Sequence, residues 1–152
     1  MLNERLIIDI FDSVLYRGSQ LSFSEFRADY DFLSVVYLQN DCEPCYENFL
    51  EWSVMMKTFS HGDKHTLLFV IQSLDVNSFF HQVKDLPFNE DGFFIAHDSI
   101  MSFRNSNNGN IPSWIMDASV LIDSENRIKM VGAPWLNEEM TELFNSIVYE
   151  GK

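Results

Sequence analysis

Ser34-Val35-Val36-Tyr37-Leu38-Gln39-Asn40-Asp41-Cys42-Glu43-Pro44-Cys45 is the stretch on which the fold turns. The near-continuous apolar run from Phe32 to Leu38 reads as a central strand covered on both faces. It stops at a polar turn, and a helical pattern begins at once. Cys45, Phe49, Trp52, Met56 and Phe59 recur at steps of four, three, four and three, a core-facing stripe. Pro44 falls in the first helical turn, where its missing N–H is harmless. The chain's only two cysteines sit three apart at this junction. A strand, a turn and a helix start place the first thiol where backbone N–H groups point outward and favour a thiolate.

Beyond this junction, His65 to Gln72 contains Leu67-Leu68-Phe69-Val70-Ile71, a second buried strand. Strand, helix and strand at this length predict a right-handed crossover to a parallel pair. Asp75 to Leu86, with Val76, Phe79, Phe80 and Val83 on one face, predicts a helix, and Gly92 to Ala96 a short strand. Ser99 to Phe103 fits either. Asn105 to Asn110 reads as a loop by composition. Ala118–Ile122 and Arg127–Val131, flanking Asp123-Ser124-Glu125-Asn126, predict a β-hairpin. Asn137 caps a final helix with the stripe Met140, Leu143, Phe144, Ile147 and Val148. On the N-terminal side, Ile7, Ile10, Phe11, Val14 and Leu15 have helical spacing. They predict an amphipathic helix over Leu6 to Tyr16, ended by Arg17-Gly18-Ser19, within a helical extension covering residues 1–20. Leu21-Ser22-Phe23 reads as a small strand and Phe26 to Asp31 as a connector.

Length and composition suit one domain spanning residues 1–152, with 46% apolar residues, fourteen Phe and enough core to fold without disulfide staples. The net charge of −13 repels phosphate backbones and anionic lipid, which disfavours nucleic acid and membrane-surface partners. No run of about eighteen apolar residues marks a membrane span. Met1-Leu2-Asn3-Glu4-Arg5 lacks a basic region leading into an apolar one, which fits a cytoplasmic chain or an exported mature segment. A single Cys-X-X-Cys fits a catalytic pair better than a disulfide framework or a zinc site. His61-Gly62-Asp63-Lys64-His65 has metal-ligand residue types but no second cluster, and reads as a solvated loop. No metal and no cofactor are expected. His81, His97, Asp98 and Asp123 read as ordinary helix, strand-end and turn residues.

Three stretches together resemble the thioredoxin-like proteins of the TlpA/ResA-like branch, which overlaps the thiol-specific-antioxidant proteins. They are the strand with Cys42-Glu43-Pro44-Cys45, the hairpin Ser119-Val120-Leu121-Ile122-Asp123-Ser124-Glu125-Asn126-Arg127-Ile128, and Val131-Gly132-Ala133-Pro134 leading into the last helix. Asn110-Ile111-Pro112 also resembles a subgroup of secreted or lipid-anchored proteins of Gram-negative anaerobes. The resemblance covers roughly residues 20–150. It implies an α/β three-layer sandwich, with a central mixed sheet of about five strands and helices on both faces. It implies a thiol-disulfide oxidoreductase with Cys42 attacking and Cys45 resolving, and protein thiols or disulfides and a redox partner protein as partners. It implies a periplasmic setting, in solution or on a membrane anchor. A peroxiredoxin reading lacks its helper residues, because Leu38-Gln39-Asn40-Asp41 precedes Cys42.

The sequence departs from that family in three places. A cis-proline is expected opposite the pair, yet the hairpin register puts Asp117 there and Pro112 five residues earlier. Either a bulged loop brings Pro112 to the site or the cis-proline is absent. Asp41 replaces the usual Trp before the motif, and with Glu43 puts two carboxylates beside Cys42, which raises a thiolate's pKa. Val36 stands where a buried proton-relaying acid often sits. Asp117 would serve as a substitute base or repel the thiolate. Trp114 and Met116 form an apolar rim for a partner peptide or pack onto the core. These departures keep a second reading open: a thioredoxin-fold binding or scaffold protein with a non-catalytic pair.

Overall fold

The computed structural model describes residues 3–59 and 64–150. Its elements are β1 (Ser13–Tyr16), β2 (Ser19–Ser22), α1 (Phe23–Ala28), β3 (Phe32–Gln39), α2 (Glu43–Phe59), β4 (His65–Gln72) and α3 (Val76–Val83). A single 3-10 turn at Glu90–Gly92 follows. Then come β5 (Phe93–Asp98), α4 (Ser102–Asn107), α5 (Ser113–Ala118), β6 (Val120–Ile122), β7 (Ile128–Val131) and α6 (Glu138–Glu150). The strands form one mixed sheet in the order β2-β1-β5-β4-β3-β6-β7. The centre, β5, β4 and β3, is parallel, and the pairs at each side are antiparallel.

Strand alternation divides the apolar residues between two cores. Leu33, Val35 and Tyr37 of β3, with Leu68, Val70, Phe94 and Ala96, face the layer of α1, α4 and α5. Phe32, Val36 and Leu38, with Leu67, Phe69, Ile71 and Ile95, face α2, α3 and α6. The three layers expected from the sequence are present, and the expected boundaries of β4 match residue for residue. Asn137 accepts the Met140 N–H at 2.9 Å and caps α6 as read.

The sheet has seven strands where about five were expected, because the N-terminal segment is not helical. Leu6 to Tyr16 contains no helix among the described residues. Leu6 and Ile8 are buried while Ile7 and Ile10 face outward, an extended alternation. The Asn107 side chain holds this segment, accepting the Ile7 N–H at 2.7 Å and donating to the Ile7 carbonyl at 2.9 Å. β1 and β2 then form a hairpin with Tyr16 opposite Ser19. The two turn residues Arg17 and Gly18 have φ of 50° and 84°, the left-handed pair that such a tight turn requires. Two spacings fit the same isoleucines, and the hydrogen bonds of Leu6 to Asn126 and of Ile7 to Asn107 select the extended one.

Other short elements also differ from expectation. The connector read at Phe26 to Asp31 begins as the second half of α1, which buried Phe23 and Phe26 anchor, and only Asp29 to Asp31 connect. The Asn-rich loop begins helically, since α4 runs to Asn107 around buried Phe103. α5 has no local pattern that announces it in the sequence. His65 is a buried start of β4, its Nε2 2.8 Å from the Ser34 hydroxyl, rather than part of a solvated loop. The loop residues His61 to Asp63 lie outside the described residues.

Candidate functional site at the Cys42–Cys45 pair

Where β3 ends, the chain reverses at Asn40 and Asp41 before entering α2. Asp41 has a φ of 56°, a left-handed value that Asp tolerates better than most residues. Tyr46 locks this turn. Its hydroxyl accepts the Asp41 N–H at 2.8 Å and donates to Asn40 Oδ1 at 3.0 Å. The sequence reading passed over Tyr46, because one polar tip on a helical stripe carries no pattern.

Cys42 stands immediately before α2, and its carbonyl accepts the N–H groups of Cys45 and Tyr46 at 3.0 and 3.2 Å. Its Sγ also accepts the Cys45 N–H at 3.2 Å, so the sulfur itself caps the helix start. Cys45 Sγ accepts the Gln39 N–H at 3.5 Å. The two cysteines are joined as a disulfide with Cα atoms 5.2 Å apart, within the ordinary range for such a bridge. Cys45 packs against the core below α2 that Phe49 and Trp52 build. Pro44 is exposed on the first turn, and Asp41 and Glu43 are exposed on either side of Cys42.

The pair opens onto a shallow cleft of about 270 Å³ lined by Tyr37, Gln39, Cys42, Pro44, Cys45, Asn48 and Asp117. Asp117 therefore faces the sulfurs' cleft and Pro112 does not line it. Pro112 starts α5 instead, its carbonyl accepting the Ile115 and Met116 N–H groups. Every described peptide bond is trans, so no cis-proline faces the pair among the described residues. The Asp117 carboxylate pairs with Arg104 at 3.1 Å, which offsets part of its repulsion of a thiolate. That hydrogen bond in turn holds the Arg104 guanidinium above its ordinary pKa. Arg104 stacks over the Tyr37 ring, 5.5 Å from its centroid.

Tyr37 forms the cleft wall from the opposite face of β3 to Val36. Burial pushes its phenol above the ordinary value, with Gln39 and Arg104 opposing in part. Its hydroxyl is enclosed near the Gln39 and Arg104 side chains and makes no hydrogen bond of ordinary geometry among the described residues. The sequence reading counted Tyr37 as strand core and missed this cluster, because Tyr37, Arg104 and Asp117 are brought together only by the packing of α4 and α5. Val36 is confirmed as buried and apolar. Of the two rim residues, Met116 is buried in the core, whereas Trp114 is 66% exposed.

No family model matches the chain, and no curated protein matches it in sequence. Solved structures do match. A Chlorobium tepidum protein assigned as a thiol:disulfide interchange protein DsbE superposes with a TM-score of 0.67 at 13% identity, over 97% of this chain and 98% of that one. A thiol-disulfide oxidoreductase from Bacteroides fragilis gives a TM-score of 0.61 at 16% identity, over 92% and 99%. A yeast mitochondrial 1-Cys peroxiredoxin gives 0.64 at 13% identity, over 97% of this chain and 74% of that one. The chain has a thioredoxin-like fold, as the sequence resemblance implies. At these identities the likeness shows the fold, and proteins of differing thiol chemistry share it.

Proposed function

We propose that the chain is a thiol-disulfide oxidoreductase in which Cys42 attacks and Cys45 resolves. One observation carries this reading: the Cys42–Cys45 disulfide sits at the open start of α2, with each sulfur receiving a backbone N–H. Those dipoles are in place before reaction and favour the thiolate that exchange requires. Cys42, at the turn, is the sulfur a partner disulfide meets. Cys45, packed toward the core, reaches its neighbour Cys42 more readily than an outside substrate. Protein thiols or disulfides are the substrates, and the resemblance supports a periplasmic setting. Fractionation of native cells that places the protein in the cytosol would overturn that setting.

Insulin reduction driven by dithiothreitol tests the chemistry. The wild type is expected to accelerate it at least tenfold. Cys42→Ser abolishes the effect, and Cys45→Ser accumulates a mixed disulfide on Cys42 visible by mass. No turnover that depends on Cys42 sinks the reading.

A scaffold role with a static disulfide is favoured by Val36 and by the trans backbone at Asp117. Two measurements separate the readings. A Cys42 thiolate titration well below the free-thiol value of about 8.5 supports exchange chemistry. A reduction potential below about −300 mV supports the static bridge, since glutathione does not open such a bond.

A further inference from the structure

Between α4 and α5 the chain turns through a tip at Asn108-Gly109-Asn110, and all three residues are exposed. Asn107, buried at the base, holds the tip closed. Its carbonyl accepts the Asn110 N–H at 3.1 Å and the Ile111 N–H at 2.9 Å. These anchors leave the tip residues themselves unengaged. Neither the Gly109 N–H nor the Asn108 side-chain amide makes a hydrogen bond among the described residues. A Cβ placed on Gly109 would meet nothing within 4 Å, and its φ lies outside the left-handed region. Asn108 has a φ of −59° and a ψ of −31°. Bringing the Gly109 nitrogen onto the Asn108 Cγ needs that peptide unit to rotate, and glycine offers the rotation little steric resistance.

Among the asparagines of this chain, Asn108 alone is followed by glycine. An asparagine side-chain amide is an electrophile within reach of the next residue's backbone nitrogen, and glycine there leaves the approach unblocked. Asn77, Asn105 and Asn145 are followed by serine, yet in each case the serine nitrogen is held. The Ser78 N–H reaches the Asp75 carbonyl at 3.0 Å, and Ser106 and Ser146 lie inside α4 and α6. The related Asp91-Gly92 step is held as well. Asp91 pairs with Arg17 at 3.1 Å, and the Gly92 N–H reaches the Asn89 carbonyl at 3.4 Å. At Asn108-Gly109 the sequence, the exposure and an unengaged nucleophile coincide.

We propose that Asn108-Gly109 is a self-modification site, at which Asn108 converts to aspartate and isoaspartate and the α4–α5 connection loosens. The Gly109 nitrogen gives its proton to hydroxide and bonds to Asn108 Cγ. The Cγ–Nδ2 bond breaks, and the nitrogen leaves as ammonia, protonated by water. A five-membered imide remains. Water then opens the imide at Cγ to leave aspartate, or at the main-chain carbonyl to leave isoaspartate. One water enters, one ammonia leaves, and nothing is oxidised or reduced. Isoaspartate routes the main chain through the former side-chain carbon, which adds one carbon to the chain. The hydrogen bond from the Ile111 N–H to the Asn107 carbonyl spans that residue and no longer fits the longer chain. Ile111 is 1% exposed, so its release opens the base of the tip. The tip joins the two helices that carry Arg104 and Asp117, the ion pair at the cleft. The chemistry is independent of the redox reading of the cysteine pair.

Ageing of the purified full chain in mildly alkaline buffer tests the proposal. Mass spectrometry of its peptides follows the rise of about 1 Da, fragment ions assign the residue, and a protease that cuts before aspartate but not isoaspartate separates the two products. Asn108 is expected to convert at least tenfold faster than Asn105, Asn77 or Asn145, with isoaspartate among the products. Gly109→Ala fits the open space and the ordinary φ, so it keeps the fold, and it should slow conversion at least fivefold. A circular dichroism spectrum matching the wild type checks that fold. Hydrogen exchange at the Ile111 N–H reads the loosening and should quicken at least threefold in the isoaspartate form. Asn108→Asp, which brings the charge without the added carbon, should leave it within twofold of the wild type. Conversion at Asn108 no faster than at Asn105, or unchanged by Gly109→Ala, overturns the site. Isoaspartate that forms while Ile111 exchange stays unchanged overturns the loosening.

Discussion

Tyr37 shows how one residue on a central strand acquires an unusual position. Its ring belongs to the core, stacked near Phe103 and beneath Arg104, while its hydroxyl is enclosed near Gln39 and Arg104 with no hydrogen bond of ordinary geometry among the described residues. Leaving such a group unsatisfied costs about 1–3 kcal/mol. Tyr37→Phe keeps the ring and removes the cost, so its urea denaturation is expected to show unchanged stability or a gain of up to about 1 kcal/mol. A loss of stability instead contradicts an unsatisfied hydroxyl. Burial raises the folded phenol above its unfolded value near 10. The folded state then holds a proton that the unfolded chain has released. Stability is therefore complete below about pH 10 and falls as pH rises through the folded pKa. Tyr37→Phe should flatten that fall. The sequence marked Tyr37 as apolar strand and no more, because nothing in its neighbours predicts which helix will cover the hydroxyl.

At the scale of single elements, the long helix and the short ones obey different rules. α2 carries its own stripe and its own start signal, so its existence follows from local sequence. α4 has six residues, too few to hold alone, and depends on what surrounds it. Asp98, read from sequence as a turn residue, is 2% exposed at the end of β5. It accepts the Ser102 N–H at 2.9 Å and the Phe103 N–H at 3.0 Å, and so starts the helix. Asp98→Ala strands both donors and is expected to cost about 2–4 kcal/mol, with Asp98→Asn retaining one acceptor and losing about half as much. Urea denaturation gives the totals, and hydrogen exchange at Ser102 and Phe103 localises the effect. A cost below about 1 kcal/mol would mean that water replaces the carboxylate at that helix start. Because α4 carries Arg104, the Asp98 change should also loosen the Asp117 side of the cleft.

For the molecule as a whole, the disulfide contributes to chemistry more than to folding. Its cysteines are three positions apart, and closing so short a loop stabilises by about 2 kcal/mol or less in the chain-entropy account. Two apolar cores, one on each face of the sheet, hold the layers without it. The reduced protein is therefore expected to keep its circular dichroism and to lose no more than about 2 kcal/mol in urea. A larger loss would mark the pair as structural. The sequence by itself determined the parts with dense local signals: the β3-to-α2 junction, the parallel β3–β4 pair, the terminal hairpin with α6, and the thioredoxin-like architecture they imply. Each of these carries its period, its cap or its turn within about twenty residues. Tertiary structure alone decided that the N-terminal isoleucines lie in an extended segment rather than a helix. It also decided that Asp117 and not Pro112 reaches the cleft, and that Arg104 sits between Asp117 and Tyr37. Those outcomes depend on which surfaces meet after the sheet has closed. Asn107 holding Ile7 across a separation of 100 positions is an interaction that no local pattern encodes.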